Sequence, residues 1–583
     1  MSTEARHAAA ETESTTTGAG LLIEALAEQG VEYVFANFGS DHPALIEALA
    51  RRAEEGIPGP RIVLCPHEFN ALSAAQGLAM ATGRSQAVMV HTDVGTANLG
   101  GSVHNAARTR VPVLIVAGKT PNTLEGELQG TRDTYINHLQ DVHDQHALVR
   151  PYVKWSYDIQ TGTNVKQLMY RALQLAASAP AGPVYLTGAR EVLAERVPEV
   201  QLRGEQWQPI DPTPLAPSTV AEIVQALIDA TRPVIVTTQF GRNPAAVPKL
   251  VEFAERLGVP VVESNPAYLN FPATHPLHLG YNADEFIGAA DVIVTLDSDA
   301  PWIHSRRRPA ADAVIYHLDV DPLKEDLPLW YAPATRFLRV DTSLAIAQFN
   351  EHSRTLELDR ERLAARAAQY RDLHDEQRRA WADQAASGAG SLTAAAAMAA
   401  LSAFLDDDTI VLNEAITHAE TVFRHVPRSL PGTSFANGGS SLGWSGGGSI
   451  GLKLAHRDRQ VVTIVGDGSY LLSVPSATYW IARRYDTPFL TIILNNGGWN
   501  ATKQNVLRQY PDGAARDGDR YWVNLRAPAD LPAIAAAAGG AFARTVGSLA
   551  GLREAVPLAL AELRRGNSAV LEVTLAPISE QPA

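Results

Sequence analysis

Two short loops carry the residue types best suited to holding a charged ligand. Val461–Val465 runs straight into Gly466-Asp467-Gly468-Ser469, and Leu490–Leu494 runs into Asn495-Asn496-Gly497-Gly498. Each is a β-branched apolar run that ends in a polar turn, and parallel α/β sheets present ligands at such C-terminal strand ends. Gly466 and Gly468 let the backbone approach a diphosphate. The Asp467 carboxylate and the Asn496 amide supply hard oxygens for a Mg2+ ion that would neutralise it. The backbone carbonyl of Gly498 is a candidate third ligand. Ser469 can hydrogen-bond a phosphate oxygen at the start of the next helix, where the partial positive charge favours anions. Either turn alone is an ordinary strand end; the pair together is specific.

These loops need a sheet beneath them, and the sequence predicts three. From Leu21 to about Leu186, helix-like segments alternate with strands at Tyr33–Phe35, Arg61–Leu64, Ala87–His91, Val113–Ala117 and Val184–Leu186. Such alternation argues for a parallel sheet covered by helices. A second series has strands at Val234–Thr237, Val259–Glu263, Val292–Leu296 and Val314–Leu318, and a third at Thr409–Leu412, Val461–Val465, Leu490–Leu494 and Ala569–Val573. The expected fold is therefore α/β, with three doubly wound parallel-sheet domains. The expected boundaries are a disordered tail over 1–17, a first domain over 18–190, a Pro-rich linker over 191–217 and a middle domain over 218–350. A helical linker over 351–390 and a last domain over 391–578 complete the chain.

Composition excludes several classes. A net charge of −14 over 583 residues repels nucleic-acid phosphates, and 46% hydrophobic against 19% charged residues marks a globular chain. The single cysteine, Cys65, permits no internal disulfide, which fits a reducing cytoplasm. The N-terminal segment has no apolar stretch that could act as a signal peptide, and no apolar run is long enough to span a bilayer.

The paired turns resemble the magnesium–diphosphate motif of thiamine diphosphate enzymes, and the three blocks resemble that family's pyrimidine-binding, middle and diphosphate-binding domains in order and size. Cys65-Pro66-His67-Glu68 matches the family's glutamate, which lies just after a strand and hydrogen-bonds a ring nitrogen of the cofactor's aminopyrimidine. The resemblance thus makes Glu68 both a catalytic and a cofactor-binding residue, where otherwise it reads as an exposed helix-start glutamate. The Ala71–Thr82 helix and the Gly95-Thr96-Ala97-Asn98 turn fit the same domain. Ser440-Ser441-Leu442-Gly443-Trp444 lies where the family places a large apolar residue under the cofactor, which assigns Leu442, with a plain core leucine as the alternative. Asn413-Glu414-Ala415-Ile416-Thr417 resembles the loop on the diphosphate side of benzoylformate decarboxylases. Asn413 and Glu414 are then cofactor contacts or, equally, helix caps. Glutamate and diphosphate sites of this family face each other across two subunits, which implies a homodimer or homotetramer.

Two subfamilies leave marks. Phe38-Gly39-Ser40-Asp41, Val90-His91-Thr92 and Val153–Tyr157 resemble benzoylformate decarboxylases, whose matching Ser and His contact the substrate carboxylate and shuttle protons; Ser40 and His91 are substrate-site candidates on that ground. Leu139-Gln140-Asp141 resembles a stretch of acetolactate synthases whose glutamine can hold a hydroxyl or carbonyl oxygen while a second carbonyl reacts. Gln140 favours carboligation. Trp302 and His304 are weaker candidates in the middle domain, and Trp499 and Tyr510 follow the metal loop closely enough to shape an acyl pocket. FAD is not expected, since Gln239-Phe240-Gly241-Arg242-Asn243 and Gly280-Tyr281-Asn282 do not match the flavin-binding pattern.

The resemblance implies a thiamine diphosphate- and Mg2+-dependent enzyme that decarboxylates a 2-oxo acid donor and ligates the acyl unit to a carbonyl acceptor. The alternatives are a simple decarboxylase releasing an aldehyde, a 2-hydroxyacyl-CoA lyase, and a catalytically silent homologue. Glu68 and Asp467, both present, weigh against the silent homologue. An NAD- or FAD-dependent oxidoreductase would carry a G-x-G-x-x-G turn after an early strand, which this sequence lacks.

Overall fold

The computed structural model describes residues 15–386, 392–526 and 529–578. The chain divides into two compact units, Met1–Ile210 with Gly439–Ser441, and Asp211–Gly438 with Leu442–Ala583.

The first unit carries β1 (Thr15–Thr17), β2 (Tyr33–Ala36), β3 (Arg61–Leu64), β4 (Gln86–Val90), β5 (Val113–Lys119), β6 (Trp155–Ile159), β7 (Val184–Ala189) and β8 (Arg196–Pro198). Six of them form a parallel sheet in the order β3-β2-β4-β5-β7-β6. The chain passes from β2 outward to β3, then crosses back to place β4 on the other side of β2. That reversal opens a crevice at the C-terminal ends of β2 and β4, the place where doubly wound sheets bind ligands. β2, β4, β5 and β7 are buried nearly throughout, as strands covered by helices on both faces must be. Leu22 and Leu26 of the helix Gly18–Glu28 and Met169 and Leu173 of the helix Val165–Ala177 pack on Val34, Leu114 and Leu186 in one core.

The second unit holds two more parallel sheets. β9 (Pro233–Thr237), β10 (Val261–Glu263), β11 (Val292–Leu296), β12 (Val314–Asp319) and β13 (Arg336–Arg339) run in the order β10-β9-β11-β12-β13. β14 (Ile410–Glu414), β15 (Ser434–Ala436), β16 (Val461–Gly466), β17 (Leu490–Asn495), β18 (Phe542–Val546) and β19 (Ala569–Thr574) run in the order β15-β14-β16-β17-β19-β18. A 27-residue helix, Arg360–Ala386, is fastened to the middle sheet's helices by the buried Arg366. Its guanidinium donates to the carbonyls of Ala230, Leu227 and Leu257. Leu227 and Leu257 sit in the last turns of their helices, where carbonyls without helical partners favour a cation.

Where the structure differs from the expected elements, the cause is local. Thr15–Thr17, expected in a disordered tail, pair antiparallel with Arg196–Pro198, and Thr17 caps the first helix by accepting Gly20 N–H at 3.0 Å; the rest of that tail lies outside the described residues. β13 and β18 were not expected because their residues alternate between half-buried and exposed and include arginines. β15 is only three residues long. No helix among the described residues is long and apolar enough to cross a membrane.

Candidate active site

The first unit builds one group of polar side chains at its crevice. β3 ends at Leu64, and the turn through Cys65, Pro66 and His67 leads into the helix Glu68–Thr82. His67 caps that helix, its Nδ1 accepting Phe69 N–H at 3.2 Å. Glu68 is buried, against the exposed position a helix-start glutamate ordinarily takes. Its Oε1 accepts Asn37 Nδ2–H at 2.9 Å and its Oε2 accepts Asn98 Nδ2–H at 3.1 Å. Asn37 directly follows β2, and Asn98 lies on the helix Thr92–Arg108 that follows β4. Two neutral amides leave each carboxylate oxygen a lone pair for a further donor. This buried acceptor fits a protonated ring nitrogen.

The loops after β2 and β4 meet beside it. Asp41, 2% exposed, places Oδ1 2.5 Å from His91 Nδ1 and accepts Thr92 N–H on Oδ2 at 3.1 Å. His42 Nδ1 lies 2.9 Å from the same Oδ1 and accepts Gly39 N–H at 3.0 Å. A Cβ on Gly118 would lie 1.4 Å from Asp41 Oδ2, so only glycine there leaves the carboxylate its seat. A Cβ on Gly95 would lie 3.3 Å from both Glu68 Oε1 and His91 Cβ, which puts these two residues on either side of one backbone position. Burial alone would push the Asp41 carboxyl up, yet the two imidazoles against it hold it well below the usual carboxylate range. The bond to Asp41 raises His91 above the ordinary histidine value against the opposing effect of burial, with Gln140 and Asp93 adding to the rise. Gln140 is 3% exposed and close to that imidazole but outside hydrogen-bond geometry, and both ends of its amide are buried without a partner. Ser40 stands exposed next to Asp41. The structure thus gathers Glu68, His91 and Gln140, and adds Asn37, Asp41, His42 and Asn98. Sequence reading gave these four no role, although all but Asn98 lie in the six residues after β2.

The second unit builds a separate group at the ends of β16 and β17, neighbours in register from Val462↔Leu490 to Gly466↔Leu494. Asp467 opens the helix Asp467–Leu472 and is buried, with Gly468 and Ser469 buried beside it. Burial pushes its carboxyl up to about 6 against the lowering effect of the nearby Gly468 and Gly497 backbone N–H groups, the latter donating to Asn495 Oδ1 at 2.9 Å; Glu572 adds to the rise. The Gly497 contact brings the two loops together at Asp467. Asn496 is buried and its Oδ1 accepts Gly498 N–H at 3.2 Å. Gly498 has φ +149°, and a Cβ there would lie 1.9 Å from the Val523 carbonyl oxygen, so the turn requires glycine. A buried carboxylate is stabilised by a cation, and Asp467, with the Asn496 amide at the end of the neighbouring strand, offers hard oxygens of the kind that Mg2+ takes.

Other candidates are engaged within the fold. Asn413 donates Nδ2–H to the Ala419 carbonyl at 2.8 Å and accepts Ala415 N–H at 3.2 Å. Glu414, fully buried, accepts Gly443 N–H at 2.9 Å and Trp444 N–H at 3.1 Å on Oε1 and Ser445 N–H at 3.0 Å on Oε2. It caps the helix Trp444–Ala455 and anchors the residues that directly follow the half-buried Leu442. Burial pushes Glu414 up to about 7 in spite of those bonds. Trp499 covers Gly468, where a Cβ would lie 2.3 Å from its ring, while Tyr510 is exposed. Trp302 is buried and donates Nε1–H to His304 Nε2 at 3.2 Å.

Comparison with known proteins follows the same divisions. Residues 16–148 match the family model for the thiamine pyrophosphate enzyme N-terminal TPP-binding domain, 220–327 the central domain and 416–573 the C-terminal TPP-binding domain. The chain is 25% identical over 512 residues to the acetolactate synthase isozyme 3 large subunit of Escherichia coli K12, covering 84% of this chain and 83% of that protein. It is likewise 25% identical over 490 residues to benzoylformate decarboxylase of Pseudomonas aeruginosa, covering 82% and 86%. Among solved structures it resembles the thiamine diphosphate-dependent 4-hydroxybenzoylformate decarboxylase of Rhodococcus jostii RHA1, with a TM-score of 0.77 at 21% identity over 96% of this chain and 99% of that one.

Proposed function

Because the chain belongs to the thiamine pyrophosphate (thiamine diphosphate) enzyme family, whose three domain models it matches in order, we propose that it removes carbon dioxide from a 2-oxo acid and transfers the remaining acyl unit to a carbonyl acceptor. The bound cofactor supplies a nucleophilic carbon and an electron sink. In this reading Glu68 hydrogen-bonds the aminopyrimidine ring. Asp467, Asn496 and the Gly498 carbonyl hold Mg2+, and Gly466, Gly468 and Ser469 bind the diphosphate. Leu442 supports the cofactor from below, with Glu414 and Asn413 fixing the loops around it. Ser40 binds the donor's carboxylate, and His91 holds a proton at Nε2.

The observation that carries transfer over simple release is Gln140. An amide buried with neither end bonded costs free energy unless a ligand completes it. It can donate Nε2–H to the acceptor's carbonyl oxygen and hold that carbonyl beside the reacting carbon. The second reading, a decarboxylase releasing an aldehyde, is favoured by His91 held against Asp41, a contact that raises the imidazole above its ordinary value and suits it to deliver a proton at the same place. No flavin is proposed: Arg242 and Lys324, two cationic groups near the strand ends of the middle sheet, are paired with Asp297, Asp299 and Asp319. The assembly proposed is a cytoplasmic homodimer or homotetramer.

A panel of 2-oxo acids, beginning with pyruvate and benzoylformate, tests this with thiamine diphosphate and Mg2+, with and without an aldehyde or ketone acceptor. A 2-hydroxy ketone or 2-hydroxy-2-alkyl acid as main product, lost in Gln140→Leu with carbon dioxide release retained, is the expected result. Aldehyde alone, unaffected by that substitution, makes the enzyme a decarboxylase. No turnover of any donor despite bound cofactor contradicts both readings.

A further inference from the structure

We propose that Asp41 is the positioning residue of His91: its Oδ1 accepts a hydrogen bond from His91 Nδ1–H, fixes the ring, and leaves Nε2 as the atom that delivers a proton to the reacting substrate. This rests on the reading of His91 as the proton source, and goes beyond it by naming the residue that makes it one. The two Asp41 oxygens divide the ring from the backbone. Oδ1 holds the imidazole at 2.5 Å, and Oδ2 holds Thr92 N–H at 3.1 Å, in the first residue of the helix that His91 caps. The carboxylate therefore grips both the ring and its backbone. Glycines surround the pair: a Cβ on Gly39 would lie 2.2 Å from His91 Nδ1, and one on Gly118 would overlap Asp41 Oδ2.

Two imidazoles stand against Oδ1, His91 Nδ1 at 2.5 Å and His42 Nδ1 at 2.9 Å, and the shorter contact is to His91. Gly39 N–H also points at His42 Nδ1, at 3.0 Å. Facing the His91 ring are Asp41 and His42 from the loop after β2, Asp93 from its own helix, Glu68 across Gly95, and the uncharged Gln140. The proton balance is simple. When the donor loses carbon dioxide, one proton is taken up, at the carbon that held the carboxylate if aldehyde is released or at the acceptor's carbonyl oxygen if a carbon–carbon bond forms. That proton leaves His91 Nε2 and is restored there from solvent, while Asp41 stays ionised.

The test is 15N-histidine NMR on the cofactor-free protein, comparing wild type, Asp41→Asn and, for assignment, His91→Gln. In the wild type, His91 is expected to titrate above the ordinary value of about 6.5, with a strongly downfield Nδ1 proton. In Asp41→Asn that proton signal disappears and the titration falls by about one unit or more. With the donor acid found in the panel above, kcat falls about 10²–10⁴-fold while KM stays within about threefold. The alkaline limb of the kcat profile moves down with the His91 titration. Wild-type His91 titrating at or below about 6.5 overturns the proposal and needs no variant to fold. An Asp41→Asn protein with unchanged titration and kcat overturns it as well. If His91→Gln turns over normally, the underlying reading of His91 fails; if it is impaired while Asp41→Asn titrates as wild type, the role of Asp41 alone fails.

Discussion

At Asp467 the residue scale already sets a pH dependence. Its carboxyl, pushed up to about 6 by burial among backbone amides, must be ionised to bind a cation. Apparent Mg2+ affinity should then be flat above pH 6.5 or so and fall roughly tenfold per unit below about 6. Asp467→Asn should bind Mg2+ at least about 100-fold more weakly and lose that acid limb, which calorimetric titration with Mg2+ and thiamine diphosphate at several pH values would read directly. An acid limb retained in Asp467→Asn would remove this residue from the metal site. Glu68, Asp467 and Asn496 stand out in the sequence as candidates because each lies within four residues of a β-branched strand, in a turn whose neighbours are unusual. Asp41 could not, because it acts on His91, fifty positions away, and nothing local marks the pair. Asn37 and Asn98 reach Glu68 over separations of 31 and 30 positions, and the pairing of β2 with both β3 and β4 brings them together.

Elements are set by longer-range burial, and Glu414 shows what that costs. It caps the helix Trp444–Ala455 from the end of β14 by accepting three backbone N–H groups, yet complete burial moves its carboxyl from an ordinary 4.5 up to about 7. The native state therefore holds the proton more tightly than the unfolded chain does. Its contribution to stability is fully present below pH 4.5 and is lost as pH rises to about 7, on the order of 3 kcal/mol in all. Glu414→Gln should flatten the fall of the unfolding midpoint between pH 5 and pH 8 or thereabouts, while lowering the midpoint at pH 5 through loss of one acceptor, worth about 1 kcal/mol. Urea unfolding across that range checks it; an identical pH slope in the variant would contradict the account. Sequence could offer capping for this residue but not choose it over cofactor contact, because the helix it caps begins thirty positions further on. The central strands were legible from their β-branched runs. Edge strands such as β13 and β18 were not, because a strand with one face in solvent carries arginines and alternates like a loop.

For the whole molecule, three parallel sheets were legible because each repeats the same strand–helix alternation, and all three proved doubly wound. The reversals of strand order in the first and last sheets open crevices where the candidate loops lie: Asp41 and His91 after β2 and β4, Glu414 and Asp467 after β14 and β16. The topology, more than any one motif, accounts for why residues scattered over the chain collect at strand ends. For transfer against release the sequence offered only the resemblance around Gln140; that its amide is buried with neither end bonded follows from the packing of loops distant in sequence. The central claim is that Glu68 makes this chain a thiamine diphosphate enzyme, and it can be tested without knowing the substrate. Exchange of the cofactor's thiazolium C2 proton with deuterated solvent should be measured by quenched-flow NMR at saturating thiamine diphosphate and Mg2+, for wild type and Glu68→Gln. The account predicts exchange on the wild-type protein about 100-fold or more faster than on free cofactor, and a return to within about tenfold of the free rate in Glu68→Gln with the cofactor still bound. Equal exchange on both proteins would contradict it.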